Sequence, residues 1–145
     1  MIRLFQKQDL DQAAQTLVDT YAQPPWSETW SLALARTRLE ELMSGPMSLG
    51  YICEQAGVIV GVLCGRRTTY LCGKEYFIDE FYVAPTAQRQ GIGSRMLAYV
   101  KADLMSQGFA DMVLNTERGF PSESFYKKNG FQPKESLIFM YWDFE

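Results

Sequence analysis

The stretch from Tyr76 to Ser94 constrains this chain more than any other. Tyr76-Phe77-Ile78-Asp79-Glu80-Phe81-Tyr82-Val83 reads as a buried strand, and it stops at Ala84-Pro85. Gln88-Arg89-Gln90-Gly91-Ile92-Gly93-Ser94 then opens a helix. A strand entering a glycine-bearing turn at a helix start gathers unpaired backbone N–H groups at the positive end of the helix dipole. Such a turn suits a phosphate or pyrophosphate, and glycines at 91 and 93 let the anion approach the backbone closely. The expected ligand is a nucleotide-like cofactor.

Glycine pairs near a helix start are also ordinary turn residues, so the glycines alone leave both readings open. Two common phosphate sites are excluded. No Gly-x-x-x-x-Gly-Lys-Ser/Thr occurs, so there is no P-loop. Position 96 is Met96, so the third glycine of the Rossmann spacing is missing. What remains is Gln-x-x-Gly-x-Gly behind a strand that ends in Val-x-Pro.

Val83-Ala84-Pro85 followed by Gln88-Arg89-Gln90-Gly91-Ile92-Gly93 resembles the central signature of the GNAT superfamily of acetyl-CoA-dependent N-acyltransferases. A second signature, an aromatic-Tyr pair before a helix end in Gly-Phe, stands as Phe125-Tyr126-Lys127-Lys128-Asn129-Gly130-Phe131, in the family's order and at its usual separation. The resemblance covers residues from about 50 to 132 well and the N-terminal third by layout. It implies a single α/β domain over residues 1–145, with a mixed central sheet and helices on both faces. It also implies acetyl-CoA as acyl-donor co-substrate. The pantetheine arm would lie along the strand end at Phe81, Tyr82 and Val83. Further cofactor contacts would come from Gln88, Arg89, Gln90, Gly91, Ile92, Gly93 and Ser94, and from Asn115. One position departs from the family pattern: the Asn common seven residues before the tyrosine is Gly119 here.

The chain has no histidine. That removes Ser-His and Cys-His nucleophilic sites, His-ligated zinc and imidazole acid–base catalysis together. Proton transfer must fall to Asp, Glu, Tyr, Lys, Cys or water. The three cysteines lack metal spacing, and no metal site is expected. Cys53 and Cys64 lie in strand-like runs and read as small buried side chains, while Cys72 sits beside a turn at Gly73. A covalent cysteine relay would lack its usual base.

The strand places two adjacent carboxylates in an apolar run. Simple alternation puts Phe77, Asp79, Phe81 and Val83 on one side and Ile78, Glu80 and Tyr82 on the other. Ionised carboxylates are rarely buried without partners. One reading is an ion pair with Arg66, Arg67 or Lys74 on a neighbouring strand; the other is that at least one faces a cleft and handles protons. The family resemblance implies that such a carboxylate binds or deprotonates the amine. Asp79 is favoured and Glu80 is its rival. A backbone N–H near Val83 would polarise the thioester carbonyl, and Tyr126 would protonate the departing sulfur.

With 145 residues and 47% apolar side chains, the chain can bury one core. A net charge of −3 argues against electrostatic capture of nucleic acid or an anionic membrane, and mildly favours cationic substrates such as amines. No apolar run approaches the ~18 residues of a spanning helix. Met1-Ile2-Arg3-Leu4-Phe5-Gln6 reads as an edge strand rather than a signal peptide, and a cytoplasmic protein is expected.

Helix patterns are expected from Asp9, as cap, to about Ala22, and from Ser27 to the Gly45-Pro46 break. The family layout makes this segment the wall of the acceptor cleft, with Tyr21, Pro24, Pro25, Trp26, Glu28 and Trp30 in it. Aromatic faces beside an acid could hold a cation, while a staple at the helix junction explains Trp26 equally well. A hairpin about Gly57 follows, then the long strand, a helix to about Gln107 and a strand from Asp111 to Asn115. A helix from Pro121 to Asn129 and a closing strand from Leu137 to Phe144 complete the pattern.

Three functional readings follow: acetylation of a small-molecule amine, acetylation of a protein or peptide, and a non-catalytic acyl-CoA sensor. The first leads, in a layout similar to small bacterial amine and aminoglycoside-type acetyltransferases. A homodimer is left open.

Overall fold

The two hydrophobic periods of the sequence become helices laid against a sheet in the computed structural model, which describes residues 1–145. The chain divides into two units, Met1–Asn115 and Thr116–Glu145. The first unit holds strands β1 (Ile2–Leu4), β2 (Ser48–Gln55), β3 (Val58–Tyr70), β4 (Gly73–Val83) and β5 (Phe109–Leu114). It also holds helices α1 (Leu10–Tyr21), α2 (Leu32–Met43) and α3 (Ile92–Ser106). The strands lie side by side in chain order. All neighbours are antiparallel except β4 and β5, which are parallel because α3 crosses between them. The β2–β3 turn is a two-residue hairpin in which Ala56 and Gly57 both take positive φ, as the twist of paired strands requires.

Helices cover both faces of the sheet. Ala13, Ala14 and Leu17 of α1 join Ala35 and Leu39 of α2 against Ile52, Val62, Cys64 and Tyr82. The alanines let α1 sit close enough for the buried Tyr82 hydroxyl to donate to the Ala13 carbonyl at 2.7 Å. On the opposite face, the Tyr51 hydroxyl donates to Asp103 of α3 at 2.7 Å. Met96, Leu97, Val100 and Leu104 bury the inner side of that helix. No helix is long and apolar enough to cross a membrane.

Strict alternation along β4 does not hold. Cys64 pairs with Glu80 and Gly65 with Ile78, so Asp79 is an extra residue in the ladder, a β-bulge. Tyr76 therefore meets Tyr51 on the α3 side, while Tyr82 of the same parity reaches α1 on the other. Gly65 permits this: a Cβ there would overlap the Phe77 carbonyl and the Tyr76 ring.

Other differences are local. Asp9 stands at the N-cap position of α1, as expected, but its side chain makes no capping bond to that helix. It closes a 3-10 turn at Lys7–Asp9, where its carboxylate accepts from the Gln6 N–H and from Arg3. The second helix begins at Leu32 rather than near Ser27, because Ser27 has a φ of 49° and Ser31 supplies the cap, accepting from the Leu34 N–H. Trp30 thus precedes the helix it was expected to join.

The second unit contains α4 (Pro121–Lys128), with Pro121 at its first position and Glu123 bonded to the Gly119 N–H. Phe125 and Phe131 pack edge-on against Tyr126. The expected strand over Leu137–Phe144 does not form. Its composition favours extended backbone, but a strand needs a hydrogen-bonded neighbour to persist.

Candidate active site

Strand β4 ends at Val83, and Pro85 starts a 3-10 turn to Ala87. The Gln88 side-chain amide donates to the Val83 carbonyl at 2.9 Å, which ties the following turn to the strand end. Arg89 and Gly91 both have positive φ, 63° and 76°. Gly91 precedes α3 without any side-chain cap. The helix's first backbone bond runs from the Arg95 N–H to the Gly91 carbonyl at 3.0 Å, so the N–H groups of Ile92, Gly93 and Ser94 face out of the helix start.

These residues fit a pyrophosphate. Donors converge, the helix dipole is positive there, and a Cβ on Gly91 would meet no atom within 4 Å, so the turn is open above. Arg89 and Gln90 are exposed around it. Ile92 and Tyr82 belong to the core by their side chains, 1% and 4% exposed, and can offer a ligand only backbone. Pairing between β4 and β5 ends at Ile78↔Leu114, whereas β4 runs on to Val83. The sheet therefore narrows beside Phe81, Tyr82 and Val83. Asn115 follows β5 directly and is exposed.

Asp79 and Glu80 of β4 are both held by arginines. Asp79 takes two hydrogen bonds from Arg66, at 2.8 and 2.9 Å, the cross-strand pair that the sequence made an alternative to proton handling. Glu80, 9% exposed, accepts from the Tyr21 hydroxyl at 2.8 Å and from the Arg38 guanidinium. Burial opposes the charge on Arg38, yet its hydrogen bond to Glu80 and the nearby carboxylates raise its pKa above the ordinary value. Cys64 faces Glu80 across the ladder. Burial first, then the charges of Glu80 and Asp79, push its thiol pKa far up, so thiolate is disfavoured.

The acceptor-side residues gather around the same carboxylate. Tyr21 stands edge-on to Trp26 at 5.6 Å and to Tyr82 at 5.8 Å between ring centres. The Glu28 N–H donates to the Tyr21 carbonyl, and the Trp30 indole donates to the Glu28 carboxylate at 2.9 Å. Tyr21, named from sequence for the substrate wall, thus touches Glu80, named for proton handling. Arg38 was missed. Its signal lay in the pattern Ala35, Arg38, Leu39 and Leu42, which sets an arginine on the inward face of α2. Tyr126 lies on α4, half-buried between its two aromatic neighbours.

Sheet order and the parallel β4–α3–β5 unit make this an α/β domain, and the family match makes it an acyltransferase. The chain belongs to the acetyltransferase (GNAT) family, whose model matches residues 14–131. Members of that family generally use acetyl-CoA as co-substrate.

Among solved structures, a transcriptional regulator from Bacillus halodurans C-125 matches at 23% identity and a TM-score of 0.78, over 98% of this chain and 99% of that one. An aminoglycoside acetyltransferase from an uncultured soil metagenomic sample matches at 17% and 0.77, over 100% and 96%. A ribosomal-protein-alanine N-acetyltransferase from Brucella melitensis biovar Abortus 2308 matches at 17% and 0.77, over 98% and 99%. Three differently named proteins at such low identity establish the shared fold and no shared substrate. No curated protein matches the sequence.

Proposed function

We propose that the chain transfers the acetyl group of acetyl-CoA to the amine of a small molecule by direct attack, residues 1–145 acting as one N-acetyltransferase domain. The observation that carries this reading is the left-handed Gly91 opening α3 at the end of β4. Ile92, Gly93 and Ser94 hold the pyrophosphate by their N–H groups, and Gln88, Arg89 and Gln90 shape the turn. The backbone of Phe81, Tyr82 and Val83 bonds the pantetheine arm, with Asn115 as a further contact.

The reaction needs a proton acceptor for the ammonium, a donor for the oxyanion and an acid for the thiolate. Asp79 takes the amine's proton, with Glu80 as its rival. Its partner Arg66 is half-exposed, so that pair opens to solvent more readily than the Glu80–Tyr21–Arg38 set. The neutral nitrogen bonds to the carbonyl carbon while a backbone N–H near Val83 steadies the oxyanion. The C–S bond then breaks as Tyr126 gives its proton to sulfur, and the proton that the new amide nitrogen sheds restores the Tyr126 hydroxyl. Support for Tyr126 is its place in the Phe125-Tyr126 to Gly130-Phe131 motif. Support for a small cationic acceptor is the wall of Tyr21 and Trp26 beside Glu80, with Glu28 and Trp30 next to it.

Thiol release from acetyl-CoA tests the reading against a panel of small amines and a panel of peptides. Turnover of small amines is expected; turnover of peptides alone, or of neither, overturns it. Tyr126→Phe should lower kcat within the roughly 10²–10⁴-fold range of a lost general acid while CoA binding survives. If Asp79→Asn and Glu80→Gln each keep wild-type kcat/KM across pH 6–9, the base lies elsewhere.

A further inference from the structure

Arg38 is only partly used by the fold. Arg3 grips Asp9, and Arg66 grips Asp79, with two guanidinium nitrogens each. Arg38 reaches Glu80 through Nε alone, on Oε2, because the Tyr21 hydroxyl already donates to Oε1. A guanidinium carries five N–H donors in a planar fork, so four are left. Nη1 and Nη2 make no hydrogen bond within the chain, and 38% of the side chain is exposed. Glu80 has capacity left as well. An ionised carboxylate accepts about four hydrogen bonds, and two are made.

Charge narrows what can enter here. Asp79 is matched by Arg66 and Glu80 by Arg38, so these four charges sum to zero. A bare ammonium arriving at Glu80 would bring an unmatched positive charge beside Arg38, and a polycation would bring several. An acceptor with its own anion keeps the balance. Nε and the two Nη atoms belong to one planar group, so the places for the ammonium and for the anion lie a single guanidinium apart. An α-amino acid carries its ammonium and its carboxylate on one carbon, and a carboxylate matches the fork of an arginine.

We propose that the acceptor is an α-amino acid, with Glu80 receiving its ammonium and the Nη1 and Nη2 atoms of Arg38 its carboxylate. This rests on the proposed acetyl transfer and names its substrate class. Glu80 orients the ammonium whichever of Asp79 and Glu80 takes the proton. The N–C bond forms as the thioester C–S bond breaks, so that ammonium and acetyl-CoA become an N-acetyl amino acid, the CoA thiol and one released proton. Arg38 is a substrate-binding residue on α2, and the aromatic wall of Tyr21 and Trp26 stands beside it for the side chain of the acid.

Calorimetric titration into the protein–CoA complex tests the site apart from turnover. Phenylalanine is compared with phenethylamine and leucine with isopentylamine, and phosphoethanolamine serves as an amine bearing phosphate. The amino acids should bind about tenfold tighter or more than their decarboxylated partners, as a charge-assisted pair gives. Equal, weaker or absent binding of the amino acids overturns the inference, as does tighter binding of phosphoethanolamine. In thiol-release assays the preference should appear in KM, and Arg38→Gln should abolish it. Arg38→Lys keeps a charge beside Glu80 but lacks the planar fork, and should lose part of it. A preference that survives Arg38→Gln overturns the assignment; if that variant does not fold, an unchanged KM in Arg38→Lys does so. Acetylation of amines without preference for the acids overturns this inference alone. Tight binding of the acids without thiol release supports the subsite and overturns the acetyl transfer.

Discussion

Single side chains show how this fold manages charge. Asp9 is 5% exposed and accepts from Nη1 and Nη2 of Arg3 at 2.8 Å and from the Gln6 N–H. The Arg3 hydrogen bonds, partly opposed by burial, lower its pKa below the ordinary 3.8. A lowered carboxyl binds fewer protons folded than unfolded. Its stabilisation is full above the unfolded value and is lost as pH falls through the folded one. Asp9→Asn keeps the shape and removes the charge, and should cost about 1.5–3 kcal/mol at pH 7. Urea unfolding from pH 7 to pH 2 should show the variant without this part of the wild-type acid limb; an identical limb would remove Asp9 from it. The reading of Asp79 belongs here as well. The sequence named Arg66 as its potential partner, and the two do meet, whereas the Arg38 that meets Glu80 comes from a helix 42 residues away in sequence.

Two glycines carry the elements that matter most. Gly65 sits where the β4 bulge brings the Phe77 carbonyl and the Tyr76 ring against its Cα. Gly65→Ala must push backbone aside and should cost about 3 kcal/mol or more, measured by thermal or urea unfolding. A cost below 1 kcal/mol would mean that the bulge relaxes freely. Gly91 is the opposite case, because no atom lies within 4 Å of its missing Cβ and its φ is left-handed. Gly91→Val should keep the fold but strain the turn and obstruct an approaching phosphate. Calorimetric titration should show CoA affinity falling at least tenfold, about 1.4 kcal/mol. Unchanged affinity would move the anion site elsewhere.

Across the whole molecule, the missing histidine and the three cysteines set the kinetic form of the reaction. Cys53 and Cys64 are buried, as their strand patterns indicated, and Cys72 is exposed. Burial and two carboxylates hold the Cys64 thiol protonated, and without a histidine neither Cys53 nor Cys72 has the usual base of a cysteine nucleophile. Initial-rate patterns should therefore be sequential, and a folded variant with all three cysteines replaced should keep most of its turnover. Ping-pong kinetics with an acetylated cysteine in mass spectra would contradict this.

The sequence by itself determined the elements whose causes are local: the apolar period of α1, the hairpin at Gly57, the long β4 and the turn at Gln88–Ser94, where the backbone needs of a helix start select glycine. It also indicated the family, through two ordered motifs. Tertiary structure decided what depends on partners distant in sequence. Period-two alternation along β4 failed at Asp79 because a bulge inserts one residue against β3, and pairing register is not written in either strand alone. The start of α2 moved to Leu32 because the chain from Ala22 to Ser31 follows its bonds to Tyr21 and Gln23 instead of its helix propensity. Leu137–Phe144 carries every local mark of a strand and forms none, since hydrogen bonds from a neighbour, rather than composition, complete a strand.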